Sequence, residues 1–131
     1  MAVRFGYTIL YVPDVPATVS FYEAAFGLKR RFVHECSLYA EMETGETALA
    51  FASETMAELN GFAVRANRRS DLAAGFEIAL VCSAPHQAYE KAVSAGASPV
   101  KPPEEKQWGQ VVGYVRDLNG CLVELCSATP A

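Results

Sequence analysis

The stretch Asp14-Val15-Pro16-Ala17-Thr18-Val19-Ser20-Phe21-Tyr22-Glu23-Ala24-Ala25-Phe26-Gly27 decides the fold, because its grammar returns as Ser83-Ala84-Pro85-His86-Gln87-Ala88-Tyr89-Glu90-Lys91-Ala92-Val93-Ser94-Ala95-Gly96. Each segment opens on a residue whose side chain suits a helix N-cap, Asp14 or Ser83, with a proline where the first turn begins. Each continues with apolar residues at helical spacing: Val19, Tyr22 and Phe26 in one, Ala88, Tyr89, Ala92 and Val93 in the other. Each closes on a glycine suited to the left-handed position that ends a helix. The separation from cap to glycine is the same in both, which points to an internal duplication.

The flanks repeat as well. Before the first helix, Arg4 to Val12 is aromatic, β-branched and aliphatic; before the second, Phe76 to Cys82 reads the same way. After the first helix, Leu28 to Val33, Ser37 to Met42 and Thr47 to Ala52 read as strands, with Glu43-Thr44-Gly45 as a turn. After the second, the equivalents are Ser98 to Lys101, Gln110 to Arg116 and Cys121 to Cys126, with Asp117-Leu118-Asn119-Gly120 as the turn. The Asn119-Gly120 pair predicts a tight hairpin with positive φ at both central residues. Pro102 to Gln107 reads as an exposed loop.

The predicted fold is therefore α+β: two tandem βαβββ modules, 1–54 and 75–131, joined by a linker over 55–74 in which a short helix near Thr55 to Leu59 fits the pattern. One helix covers one face of a four-stranded sheet. The other faces, curved toward one another, are expected to enclose a cleft for a small ligand.

Composition narrows the function. With 131 residues and 51% hydrophobic content the chain suits a single domain. A net charge of −4, with no run of Lys or Arg beyond the tripeptide Lys29-Arg30-Arg31, argues against nucleic acid and anionic membranes as partners. Without a signal-like or membrane-spanning apolar run, a cytoplasmic protein is expected. Cys36, Cys82, Cys121 and Cys126 show no CxxC spacing, and the last three, in strand-like segments, read as small buried hydrophobes.

Tyr11-Val12-Pro13-Asp14, Ser20-Phe21-Tyr22 and Phe26-Gly27-Leu28 resemble the first-module signature of the vicinal oxygen chelate superfamily, which includes glyoxalase I, bleomycin resistance proteins and extradiol dioxygenases. Trp108-Gly109-Gln110, Tyr114-Val115-Arg116-Asp117, Asn119-Gly120 and Leu122-Val123-Glu124-Leu125 resemble its second-module ending. Leu118 stands where the family often has proline. In metal-using members of that family, ligands come from the first and fourth strands of each module. Carried over by position, the resemblance places Tyr7, Leu49, Glu77 and Glu124 there. Aligning the two repeats by their caps would instead turn Phe76 inward in place of Glu77, and one residue of register reverses which face a strand residue uses.

This set lacks the three His, Cys or carboxylate ligands of a catalytic divalent ion. Leucine cannot ligate, tyrosine is a poor ligand at neutral pH, and His34 and His86 fall on a turn and a first helical turn. The expectation is thus no metal and no cofactor, and metal-free binding of a small organic molecule, as in the bleomycin resistance branch that the chain resembles. Tyr7, Tyr11, Leu49, Phe51, Glu77, Trp108, Tyr114 and Glu124 are the candidate ligand-binding residues, with Tyr39 a further aromatic candidate; no catalytic residue is assigned. Glu124 could pair with an amine. The alternative is an enzyme of the same fold, a metal-dependent lyase, isomerase or dioxygenase, or else a metal-free enzyme using Glu77 or Glu124 as general base; a mainly structural or interaction module is a third. The resemblance also implies a homodimer.

Overall fold

In the computed structural model, which describes residues 1–130, the order is β1 (Tyr7–Val12), α1 (Val15–Phe26), β2 (Arg30–Val33), β3 (Tyr39–Met42), β4 (Ala48–Ser53), α2 (Glu54–Leu59), β5 (Glu77–Val81), α3 (Pro85–Ser94), β6 (Ser98–Glu105), β7 (Val111–Arg116) and β8 (Leu122–Cys126). The strands form two open four-stranded mixed sheets with one topology: β1-β4-β3-β2 and β5-β8-β7-β6. In each, the first and last strands of the module run parallel side by side, and the remaining pairs are antiparallel. The duplicated grammar thus produces duplicated structure. Two compact units result, one of Met1–Glu23 with Gly27–Ala66, the other of Asn67–Ala131 with Ala24–Phe26.

In the first unit α1 starts where its chemistry says it should. The Asp14 carboxylate accepts a hydrogen bond from the Ala17 amide at 3.0 Å, and Gly27, at φ +69°, donates its amide to the Glu23 carbonyl. Such a cap is worth about 1 kcal/mol. The helix buries Val15, Val19, Tyr22 and Ala25, and Tyr22 meets Phe51 of β4 with ring centroids 4.9 Å apart. Register then sorts the sheet by parity. Leu10, Val12 and Phe51 share the face under α1 and are almost wholly buried, while Tyr7, Ile9 and Tyr11 point the other way with Ala48, Ala50 and Ala52. Tyr39 and Glu41 of β3 pair with Ala52 and Ala50 and join that second, open face.

In the second unit α3 lies against β6, β7 and β8. Its cap differs from expectation: the chain enters the helix at Ala84, one residue after Ser83, and no side chain caps it. The helix is correspondingly shorter than α1, ten residues against twelve. Val115, Val123 and Leu125 form the buried parity, whereas Glu77, Ala79, Leu122, Glu124 and Tyr114 share the open one. Strand β6 runs on to Glu105, through two prolines expected in a loop, with register shifts at Pro99/Lys101 and Lys101/Glu104 that absorb the missing ladder amides. The segment read as a linker opens on a short helix, α2, its entry capped by the Ser53 hydroxyl. No helix among the described residues is long and apolar enough to cross a membrane.

The β7–β8 turn also differs from expectation. Only Gly120 takes positive φ, at +93°, and Asn119 does not. The Asp117 carboxylate instead builds the turn by accepting from the amides of Asn119 and Cys121 at 2.8 and 2.9 Å. Beside it, the Arg116 guanidinium donates to the carbonyls of Gly120, Arg68, Arg69 and Asp71, tying the segment before β5 to the end of β7. A Cβ on Gly120 would fall 2.5 Å from the Arg68 carbonyl oxygen.

Two glycines with the same backbone strain but different surroundings separate these effects. Gly45→Ala, at φ +94° with nothing within 4 Å, is expected to cost about 1 kcal/mol in urea unfolding. Gly120→Ala adds a backbone collision and is expected to cost about 3 kcal/mol; equal losses for the two would remove the role given to the Arg68 contact.

Candidate functional site

Parallel pairing of β5 with β8 sets Glu77 opposite Leu122 and Ala79 opposite Glu124, so the two glutamates stand on one face, a diagonal step apart. Tyr114 of β7 is the direct cross-strand neighbour of Glu124. The Glu124 carboxyl lies close enough to Glu77, Tyr114 and Cys126 to perturb the titration of all three. Two carboxyls this close do not ionise together easily. Burial first, then the hydrogen bond and charge of Glu124, raise Glu77 from the usual 4.5 to about 7. Burial and the same pair of carboxylates raise the Tyr114 phenol, which keeps its proton, and Cys126 is pushed to about 11 by burial and then by Glu124. This cluster is the most distinctive chemistry on the second sheet's open face. Ala79, Val81 and Leu122 surround it with apolar surface.

The open face of the first sheet is mostly aromatic. Tyr7 and Ile9 are 53% and 41% exposed there, and Phe32 packs near Tyr39 with centroids 6.1 Å apart. The Tyr39 hydroxyl donates to Glu41 at 2.8 Å, and Arg31 donates to Glu41 and Glu43 at 3.1 and 2.7 Å. Glu41 is thereby a nearly buried carboxylate with two donors, and Tyr39, desolvated and tied to it, has its phenol pushed well above the ordinary value. Tyr11 meets Phe62 edge-on at 6.1 Å, beside a cavity of about 210 Å³ lined by Phe62, Glu54, Glu58 and neighbouring small residues.

Of the residues singled out from sequence, the structure brings Glu77, Glu124 and Tyr114 together, and sets Tyr7 and Tyr11 on one face of the other sheet. Glu77, not Phe76, begins the strand that pairs with β8. Leu49 and Phe51 need correction: both lie on the helix-covered face, Phe51 in contact with Tyr22 and Leu49 only 6% exposed. Tyr7 corresponds in register to Glu77, and the partner of Glu124 in the duplicated scheme is then Ala50, one residue beyond Leu49. Trp108 stands apart in the turn between β6 and β7, 60% exposed, with its indole N–H donating to Gln110 at 2.8 Å. The Arg31–Glu41 pair was missed; its only sequence signal was charge within strand-like runs.

The donor set does not suit a catalytic divalent ion. The second sheet supplies two carboxyls and a phenol that keeps its proton; the corresponding places of the first supply Tyr7 and Ala50, a phenol and a methyl group. Among the described residues no three His, Cys, Asp or Glu side chains converge.

The sequence profile of the Glyoxalase/Bleomycin resistance protein/Dioxygenase superfamily matches residues 4–125. The uncharacterized protein YraH of Bacillus subtilis (strain 168) is 29% identical over 120 residues, 88% of this chain and 91% of that one. A glyoxalase-related enzyme from Fulvimarina pelagi superposes with a TM-score of 0.81 at 22% identity, over 95% of this chain and 88% of that one. A glyoxalase/bleomycin resistance protein/dioxygenase family enzyme from Burkholderia phytofirmans PsJN gives 0.77 at 18% identity, over 95% and 98%. At these identities the likeness is one of fold.

The carboxyl pair predicts a direction of pH dependence. Between about 4.5 and 7 the folded protein holds the Glu77 proton that the unfolded chain releases, so this group's contribution to stability is complete below 4.5 and is lost as pH rises through 7. Urea unfolding of Glu77→Gln is expected to show a shallower decline across that window than the wild type. Parallel slopes would mean that Glu77 ionises as an ordinary carboxyl.

Proposed function

Because the chain belongs to the Glyoxalase/Bleomycin resistance protein/Dioxygenase superfamily, a fold that carries several chemistries, we propose that it binds, without a metal ion, a small organic molecule bearing a cationic or hydrogen-bond-donating group on the open face of β5, β8 and β7. The observation that carries this reading is the Glu77–Glu124 carboxyl pair with Tyr114 beside it. An ammonium or amidinium placed against Glu124 replaces the shared proton as the positive charge, and an attached ring can lie on Tyr114. Tyr7 and Tyr11 present aromatic surface on the open face of their own sheet, and Trp108 stands exposed on its turn.

The same reading includes a homodimer and a cytoplasmic location. Large apolar side chains stand exposed on both open faces, Tyr7 and Ile9 on one and Val81 at 65% on the other, surface that pairing with a second copy would cover. All four cysteines are free thiols, as suits a reducing compartment.

A second reading has its own observation. Glu77, raised to about 7 beside a second carboxyl, is matched to moving a proton at neutral pH, so metal-free general acid–base catalysis on a bound substrate uses the same residues. No step through a metal follows from the donors present.

Benzamidine is a suitable first probe, since its amidinium forks two N–H groups toward a carboxylate and its ring is flat. Calorimetric titration of untagged protein is expected to show binding that Glu124→Gln weakens at least tenfold, because a hydrogen bond to a charged group contributes roughly 1.5–3 kcal/mol. Undiminished affinity in that variant, or near-stoichiometric zinc, manganese, nickel or iron in the purified protein, would defeat the proposal.

A further inference from the structure

The hairpin joining β2 to β3 carries a second piece of chemistry, in the first unit and outside the ligand face. His34 and Cys36 both stand exposed there, with the imidazole Nδ1 3.0 Å from the Cys36 sulfur. The backbone amide of Cys36 also points at Nδ1, at 3.2 Å. A backbone N–H can only donate, so Nδ1 presents its lone pair and the ring proton sits on Nε2. The same lone pair is then the acceptor for the thiol hydrogen. The turn holds this arrangement from three sides: His34 donates its amide to the Tyr39 carbonyl at 2.9 Å, Ser37 donates to the His34 carbonyl at 2.8 Å, and Ser37 itself takes φ +60°, the one non-glycine residue with positive φ among those described. The pair is thus a nucleophile with a fixed proton acceptor, open to solvent.

The other thiols are different. Cys121 and Cys126 are buried, with thiols pushed up by burial to about 12 and about 11, and Cys82 is partly covered. Cys36 alone combines exposure with a neighbouring base.

We propose that Cys36, served by His34, is a site of covalent addition to soft α,β-unsaturated carbonyl compounds. The thiol proton passes to His34 Nδ1 as the sulfur forms a bond to the β-carbon. The π pair moves to the α-carbon, and the imidazolium returns the proton there, so that the thiol adds across the double bond with nothing released. The product is a stable thioether on the hairpin.

N-ethylmaleimide, which has this reactive group, tests the assignment on the full chain. At neutral pH, intact-mass and peptide mass spectrometry are expected to show a single addition at Cys36, with the other three thiols labelled only after unfolding. His34→Gln is expected to slow that addition at least about tenfold, a smaller factor than the roughly hundredfold or more that a positioned base contributes in an enclosed active site, and Cys36→Ser to abolish it. Both side chains are exposed, and an unchanged circular dichroism spectrum shows that the variants fold. Labelling of Cys36 in His34→Gln at the wild-type rate, or first addition at another cysteine in the folded protein, would overturn the proposal.

Discussion

A single helix can shield only one side of a four-stranded sheet, and the proposed ligand face follows from what is left on the other side. In the first module Tyr22 and Phe51 press together beneath α1, and that contact decides which alternate residues of β1 and β4 are core. Strand geometry then leaves no freedom: if Leu10 and Val12 are under the helix, Tyr7, Ile9 and Tyr11 cannot be. The duplicated module obeys the same rule, so Val123 and Leu125 fix the orientation of Glu124 as firmly as any direct contact to it. A polar pair on a sheet is tolerable because its backs are well packed and its fronts are not.

The two modules have diverged by chemistry more than by geometry. Register equates Tyr7 with Glu77 and Ala50 with Glu124, so the same pair of places is aromatic and small in one copy and acidic in the other. In the first, the charged groups have moved to a neighbouring strand, where Arg31 and Tyr39 neutralise and satisfy Glu41. In the second, the two carboxyls stand close together with a phenol and a thiol as company, and among the described residues no basic side chain is hydrogen-bonded to Glu124. A neutralised acid is architecture; an acid that must hold a proton to remain near its neighbour is available for exchange.

Much of this was legible in the sequence, and the failures are instructive about register. The cap and glycine of α1 and the repeat follow from local patterns that tertiary contacts do not override, whereas the register that sets Tyr114 beside Glu124 carried no such signal. The second helix begins at Ala84 because Pro85 suits its first turn, and a serine with good capping chemistry one residue earlier is left outside it. That single residue separates the Phe76 and Glu77 alignments, and a similar slip made Leu49 a lining candidate where Ala50 stands. Asn119 misled for another reason: Asp117, two residues before it, takes the turn amides onto its carboxylate and removes the need for a second positive φ. Side-chain competition of this kind has no periodicity to betray it.

Arg116 reaches across to main-chain oxygens at positions 68, 69 and 71, and to Gly120 on its own hairpin, without depending on any side chain there. Such a clasp is blind to residue identity. The stretch it holds is therefore free to vary in charge and size over time while keeping its path, whereas the arginine that reads the peptide bonds, and the glycine that leaves room for them, are not. Drift is permitted on one partner and forbidden on the other, which gives the second module a boundary that can acquire new surface chemistry without loosening the strand that carries Tyr114.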